Sequence, residues 1–424
     1  MNAGALLIIL LLGLSFIGVP IAYSLGIATL AGLLLGNMAP IVLVQKTFVG
    51  INSVALLAVP FFIAAGNLMA GSVNKKLINF CKATLGWLPG SLGMITVATS
   101  AVFAAISGSG VATVSAIGGN MIPAMERDGY ERRFAAALAS VSSILGPLIP
   151  PSLFLIVYGN ATETSIGQLF MAALIPGVLL ALLLMVYVFF YARKRGFKGQ
   201  GRSSAKEIGA VALDSIWALF MPVLVLGGIF LGIFTATEAA AVTCFYSLVV
   251  GAFVYKDLTP KRILDIFASS GVTTAAMMFL TGLSKGSSYV VVASGLPQLI
   301  LDTLMSWTSN RVIILLLINV LLLVIGCLME GNAAIVMLTP LLLPLVSALG
   351  ISTLHFGVFM ALNLCIGLVT PPVGNCVLLG NAIAGEKLGN TLKAAIPMLI
   401  ICLVFLQVVT YVPALSEWLP SVTK

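Results

Sequence analysis

Charge is scarce in this chain. Charged side chains make up 8% of its 424 residues, against roughly 25% in an ordinary soluble domain. A folded soluble protein of this size would have almost no charge with which to hydrate its surface. Histidine occurs once, at His355 in what reads as a loop, and one imidazole excludes a His-based metal centre. The six cysteines (Cys81, Cys244, Cys327, Cys365, Cys376, Cys402) are scattered through apolar stretches without ligand spacing. They read as small buried hydrophobes, not as disulfides or metal ligands. No lysine or arginine precedes Lys46, so the opening apolar segment lacks the basic start of a secretory signal and reads as a retained membrane helix. The chain has no GxxxxGK[ST] phosphate cradle, which excludes ATP hydrolysis through that loop. The one serine-rich motif, SGSG, has no partnered base for nucleophilic catalysis. Enzyme classes are therefore poorly supported.

Apolar runs are abundant. Hydrophobic residues account for 60% of the chain, and the mean hydropathy is +1.16. The run Ala5 to Gly36 is uncharged and longer than the ~20 residues that one membrane crossing needs. Similar runs cover Leu169 to Ala192, Val312 to Met329 and Ala394 to Val412, and Ile216 to Tyr255 is interrupted only by Glu238. The fold class is an all-α polytopic membrane protein. Six of the 21 basic residues (Arg193, Lys194, Arg195, Lys198, Arg202, Lys206) crowd one short segment near the middle. Such a loop marks the cytoplasmic side, and an anionic-lipid contact would give the same side.

The segment divides the chain into related halves, 1–192 and 216–424, joined by a basic linker, 193–215. FIGVPIAYSLGIATLAGLLLG at Phe16 matches FLGIFTATEAAAVTCFYSLVVG at Phe230 in its glycines and apolar blocks, at an offset of about 214. SGSGVATVSAIGGNMIP, from Ser107, faces EGNAAIVMLTPLLLP, from Glu330, and each is followed by a proline pair. The steps are 43 residues from Ser107 to Pro150 and 41 from Glu330 to Pro371. MERDGYERR follows the first of these segments, whereas SALGISTLH, without Lys or Arg, follows the second. By the positive-inside rule the two loops face opposite sides, as in an inverted repeat. Re-entrant helical hairpins are expected at about 106–124 and 330–349, and broken helices at about 134–158 and 355–383. Irregular backbone at membrane depth is tolerated only where it is buried in protein or lines a wet cavity.

The proline pairs explain the breaks. Proline leaves the carbonyl four residues earlier without a helical donor, here those of Gly146 and Gly367 in GPLIPPS and GLVTPPVGN. The residues before each pair, Ile149 and Thr370, are pushed toward extended geometry. Uncharged oxygens of this kind suit a weakly held Na⁺. The hairpin tips add the Ser107 and Ser109 hydroxyls, exposed backbone at Gly108 and Gly110, and Gly331 with Asn332, placed to meet a carboxylate. A plainer reading remains open, in which Gly and Ser permit tight helix packing and the prolines kink the helices. Glu330, at the head of the second hairpin, either orients it or helps hold a cation. Glu238 sits near an interface or pairs internally. Lys285 pairs with Asp302, meets an anionic substrate or lies at the membrane interface. Lys75, Lys76 and Lys82 flank either a loop or an in-plane helix.

At SGSG, MERDGY, GPLIPPS, the basic linker and GLVTPPVGN the chain resembles the large membrane (DctM-type) subunit of tripartite ATP-independent periplasmic (TRAP) transporters, over essentially its whole length. The resemblance implies an elevator-type transporter of the ion transporter superfamily in a bacterial inner membrane. It implies as partners a small four-helix Q subunit, here a separate chain, and a periplasmic substrate-binding protein. It also implies Na⁺-driven uptake of an organic acid such as a C4-dicarboxylate or a sialic acid. The family's sodium sites carry over onto Ser107 with backbone at Gly146, Ile149 and Pro151, and onto Gly326, Gly367, Thr370 and Val373. Substrate is expected at Ser107, Gly108, Ser109, Gly331 and Asn332. A self-sufficient Na⁺/dicarboxylate or ion transporter of related fold is the alternative.

Overall fold

The computed structural model describes residues 2–423 except Gln200, Ser309 and Val373, with backbone alone for Phe16, Ser72, Leu304, Met305 and Trp307. In the first half the helices are α1 (Ala3–Phe16), α2 (Ile21–Leu35), α3 (Ile41–Ile51), α4 (Ala58–Met69), α5 (Ser72–Leu85) and α6 (Ser91–Ser107). They continue with α7 (Gly110–Thr113), α8 (Gly119–Arg127), α9 (Arg132–Ser142), α10 (Leu145–Leu148), α11 (Leu153–Thr162) and α12 (Ile166–Arg195). The linker carries α13 (Ala205–Asp214), and the second half opens with α14 (Ile216–Phe230), α15 (Ala236–Val249), α16 (Pro260–Ala293), α17 (Leu296–Trp307) and α18 (Arg311–Leu328). It closes with α19 (Gly331–Ala348), α20 (Thr353–Gly367), α21 (Asn375–Ala384), α22 (Leu388–Tyr411) and α23 (Ala414–Val422).

Long uncharged runs leave helix as the way to satisfy every backbone group without water. Among the described residues, seven helices are long and apolar enough to cross a membrane, or nine if two bent pairs count as one span each. The bent pairs are α3 with α4 (58°) and α13 with α14 (68°), so the basic linker contains a helix of its own, closed by a Ser204–Glu207 capping box. α5 is amphipathic: Val73, Leu77 and Cys81 are buried, while Lys76 pairs with Asp214 at 2.5 Å. It is not among the helices fit to cross.

One order of elements occurs twice. A hairpin with a two-residue turn, a helix broken at a proline pair and a long apolar helix run as α6–α8, α9–α11 and α12, then as α18–α19, α20–α21 and α22. The broken helices hold the centre, with residues 134–160 and 355–369 almost wholly buried. The halves interlock there, because α21 lies across α9 and α11 lies against α19.

Three expectations are corrected. The first hairpin turns at Gly108–Ser109, at the start of the expected segment, and its incoming arm is the whole of α6. The second turns at Met329–Glu330, and α19 runs unbroken through Pro340 and Pro344. A proline deletes one bond without ending a helix whose remaining turns are packed. His355 is in the first turn of α20 and not in a loop. It is 1% exposed, with Nδ1 2.7 Å from Ser416 Oγ and Nε2 3.0 Å from the Thr410 carbonyl. Lys285 and Asp302 form no ion pair among the described residues. The Lys285 stem packs where α16 meets Gly50 of α3, and Asp302 accepts from Gln298. Glu238 closes a capping box with Thr235 at the start of α15.

Candidate functional site

The first hairpin tip is pressed onto the first break. α6 ends because Gly108 turns left-handed (φ 60°), a conformation that costs other residues about 1–2 kcal/mol. A Cβ at Gly108 would lie 2.6 Å from the Pro151 carbonyl oxygen, and one at Gly146 would lie 2.6 Å from that of Ser109. Ser107, Gly108, Ser109, Gly146 and Pro151 therefore come together in one cluster. Ser107 Oγ is 3.3 Å from Thr113 Oγ1, which donates to the Ser109 carbonyl at 2.8 Å. Ser109 Oγ caps the next helix by accepting from the Ala112 N–H. Thr113 is a hydroxyl of this cluster that the sequence reading missed. Its signal was the step of four from Ser109, which puts both on one helical face.

The first break behaves as proline chemistry demands. Ile149 leaves the helix with φ −76° and ψ 128°. Ser152 caps α11, accepting from the Leu155 N–H and donating to the Pro147 carbonyl. No backbone or side-chain donor among the described residues reaches the carbonyls of Gly146 or Ile149. Both residues are buried, Ile149 at 4% exposure.

The second cluster is built by backbone contact. A Cβ on Gly367 would sit 2.5 Å from the Gly326 carbonyl carbon, so α18 and α20 meet with no side chain between them. Gly326, Cys327, Glu330, Gly367, Leu368 and Asn375 line a cavity of about 250 Å³. Here one expectation is corrected: the Gly367 carbonyl is not left bare, because the Thr370 N–H bonds to it at 3.1 Å. The last turn tightens to a three-residue step and recovers the bond that Pro371 removes. The Thr370 carbonyl has no donor among the described residues, while its hydroxyl donates to the Ile366 carbonyl at 2.7 Å. The Leu368 carbonyl accepts from Cys376, which folds the chain back after the break. Val373 lies outside the described residues.

Glu330 caps α19. Its Oε2 accepts from the Ala333 N–H at 3.1 Å, and Oε1 accepts from Asn332 Nδ2 at 2.7 Å. Its carboxylate therefore orients the hairpin arm as well as facing the cavity. Asn332 is 4% exposed, and its Oδ1 has no partner among the described residues. The clusters touch each other's surroundings: a Cβ at Gly331 would meet the Phe154 ring three residues past Pro151, and one at Gly110 would meet Cys376 and Leu368. A larger cavity, about 490 Å³, opens elsewhere between Asn160, Glu163, Thr235 and Thr237. It lies beyond two turns of α11 from the first break.

In chemical terms the arrangement offers neutral oxygens, hydroxyls and one carboxylate around interrupted helices. The family described as "Tripartite ATP-independent periplasmic transporter, DctM component" matches residues 8–415. The isethionate TRAP transporter permease protein DctMQ of Oleidesulfovibrio alaskensis is 42% identical over 94% of this chain, which spans 63% of that relative's length. The C4-dicarboxylate TRAP transporter large permease protein DctM of Pseudomonas aeruginosa is 41% identical over 89% of this chain and 88% of its own. Among solved structures, the YdaH transporter of Alcanivorax borkumensis superposes with a TM-score of 0.64 at 15% identity, covering 89% of this chain and 87% of that one; that likeness concerns the fold. The chain belongs to the DctM-type large membrane components of tripartite ATP-independent periplasmic transporters, and it is a transport protein, not an enzyme.

Proposed function

We propose that this chain is the transport-domain-bearing subunit of a Na⁺-coupled importer of an organic acid, of the C4-dicarboxylate or sialic acid type. A periplasmic binding protein delivers the acid, and a small membrane subunit completes the assembly in a bacterial inner membrane. The observation that carries the reading is the set of carbonyls at Gly146, Ile149 and Thr370, the first two in buried residues, that have no donor among the described residues and lie beside two hairpin tips. A buried polar group left unsatisfied costs roughly 1–3 kcal/mol, and a hard cation is one partner that relieves several such oxygens at once. Ser107 Oγ with the carbonyls of Gly146, Ile149 and Pro151 would hold one Na⁺. The carbonyls of Gly326, Gly367, Thr370 and Val373 would hold another, Gly367 through its second lone pair. Na⁺ supplies a compact positive charge that favours an anion nearby.

The acid is assigned to the tips, against Ser107, Gly108, Ser109, Gly331 and Asn332. Glu330 fixes the arm that carries the last two. The twice-occurring order of elements, with basic residues after the first hairpin and none after the second, supports two oppositely oriented halves. An elevator movement of the broken helices and hairpins as one body would carry the site across. The test is uptake into proteoliposomes containing this chain, its small subunit and the binding protein. Replacing Na⁺ by choline should abolish accumulation; undiminished uptake in choline would remove the coupling.

A further inference from the structure

The ends of α12 and α22 frame a cavity of about 230 Å³, floored by the start of α9 and outside both clusters above. Its lining is basic and aromatic: Tyr191 and Arg195 from α12, Lys393 from α22, Arg133 and Phe134 from α9, and Glu131, the residue just before α9. The Phe134 and Tyr191 rings stack at 3.8 Å with an interplanar angle of 2°, and the Arg195 guanidinium lies 5.6 Å from the Tyr191 ring centre. Glu131 bridges Arg133 (2.5 Å) and Arg195 (2.9 Å). The hydrogen bond from Arg133 holds the Glu131 carboxyl below its ordinary range. Lys393 has no ion-pair partner among the described residues. Three cations thus face one carboxylate. The other nearby acids are engaged elsewhere, Glu386 with the Lys387 N–H and Asn390, and Glu126 with Arg132.

What adjoins the cavity decides what fills it. Along α12, Leu182, Val186 and Phe190 are exposed, Phe190 at 62%; along α22 so are Ile396, Ile400 and Val404, the last at 59%. Bare apolar stripes on helices long enough to cross a membrane belong against acyl chains. α12 ends in Arg193, Lys194 and Arg195, which puts the cavity at the cytoplasmic interface, where aromatic side chains gather. Basic pockets between helices at that depth suit anionic headgroups. A zwitterionic headgroup would bring its own cation against Lys393 and Arg195. A free phosphate would leave those apolar stripes uncovered.

We propose that this cavity binds the phosphodiester headgroup of an anionic phospholipid whose acyl chains run along the exposed apolar stripes of α12 and α22. The site rests on the membrane reading of the chain and not on Na⁺ coupling. The test is native mass spectrometry of the purified chain with its small subunit, titrated with phosphatidylglycerol, phosphatidylcholine or inorganic phosphate. Phosphatidylglycerol should be retained in preference to phosphatidylcholine. Lys393→Gln and Arg195→Gln should each weaken it about fivefold, in line with one basic residue's share near a membrane surface. Lys393→Arg should keep it, and Lys198→Gln, in the basic linker, should leave it unchanged. Equal retention of both lipids, or an equal loss with Lys198→Gln, would overturn the site. Competition by inorganic phosphate at matched concentration would reassign it to a soluble anion. If Lys393→Gln fails to fold, the lipid preference of the unmodified protein still decides.

Discussion

Gly326 and Gly367 touch backbone to backbone at the crossing of α18 and α20, and Gly367 has no room there for a Cβ. Gly367→Ala would place a methyl carbon 2.5 Å from the Gly326 carbonyl carbon, and backbone cannot yield as a side-chain tip can. Overpacking of this kind costs about 1–3 kcal/mol. We predict a lower thermal midpoint in detergent and strongly reduced Na⁺ activation of uptake. Unchanged stability and activation would show that the helices separate at no functional expense.

Gly108 combines a left-handed backbone with a close approach, whereas Gly385 has the same backbone (φ 62°) and open space around its Cβ position. The pair separates strain from contact. Gly385→Ala should lose about 1–2 kcal/mol and retain uptake. Gly108→Ala should lose uptake, because its Cβ would strike the Pro151 carbonyl. Parallel behaviour of the two variants in the uptake assay would mean that the tip need not sit on the break.

The hydroxyls of Ser107 and Thr370 are not equivalent. Ser107 Oγ lies in the first cluster beside Thr113, while Thr370 Oγ1 donates to its own helix and leaves its carbonyl toward the break. Ser107→Ala should raise the Na⁺ concentration for half-maximal uptake about tenfold, as removal of a ligand worth about 1.5 kcal/mol would. Thr370→Ala, which keeps the carbonyl, should change it less than twofold. A reversed order in a Na⁺ titration would displace the cation from these positions.

How much of this was legible follows from how local each cause is. Pro150 and Pro371 act on their own turns, so the breaks, the bare Gly146 carbonyl and the extended Ile149 could be read directly. Gly367 misled, because the sequence does not say that Thr370 can tighten the turn and recover the bond. Gly and Ser content marks the first hairpin, and Pro340 with Pro344 marks the second, yet the incoming arm α6 reads like any apolar helix and carries no such mark. α19 survives Pro340 and Pro344 through packing that no local rule describes. His355 was assigned to a loop because its partners, Thr410 and Ser416, lie more than fifty residues away.

The Glu131 bridge sets an acid limit where the start of α9 meets the end of α12. Its folded carboxyl ionises below the usual carboxylate range, chiefly through the Arg133 hydrogen bond, with the charges of Arg133 and Arg195 adding to it. A group depressed on folding contributes stability above its unfolded value, about 4.3 for glutamate, and loses it as the pH falls through the folded value. The pair is half exposed, so the contribution is about 0.2–1 kcal/mol. Wild type should therefore exceed Glu131→Gln in thermal stability by that amount at pH 7. The difference should shrink toward zero as the pH is lowered past 4. High salt should narrow it at every pH. A gap between the two proteins that stays constant from pH 7 to pH 3 would mean that Glu131 acts through packing and not through its charge.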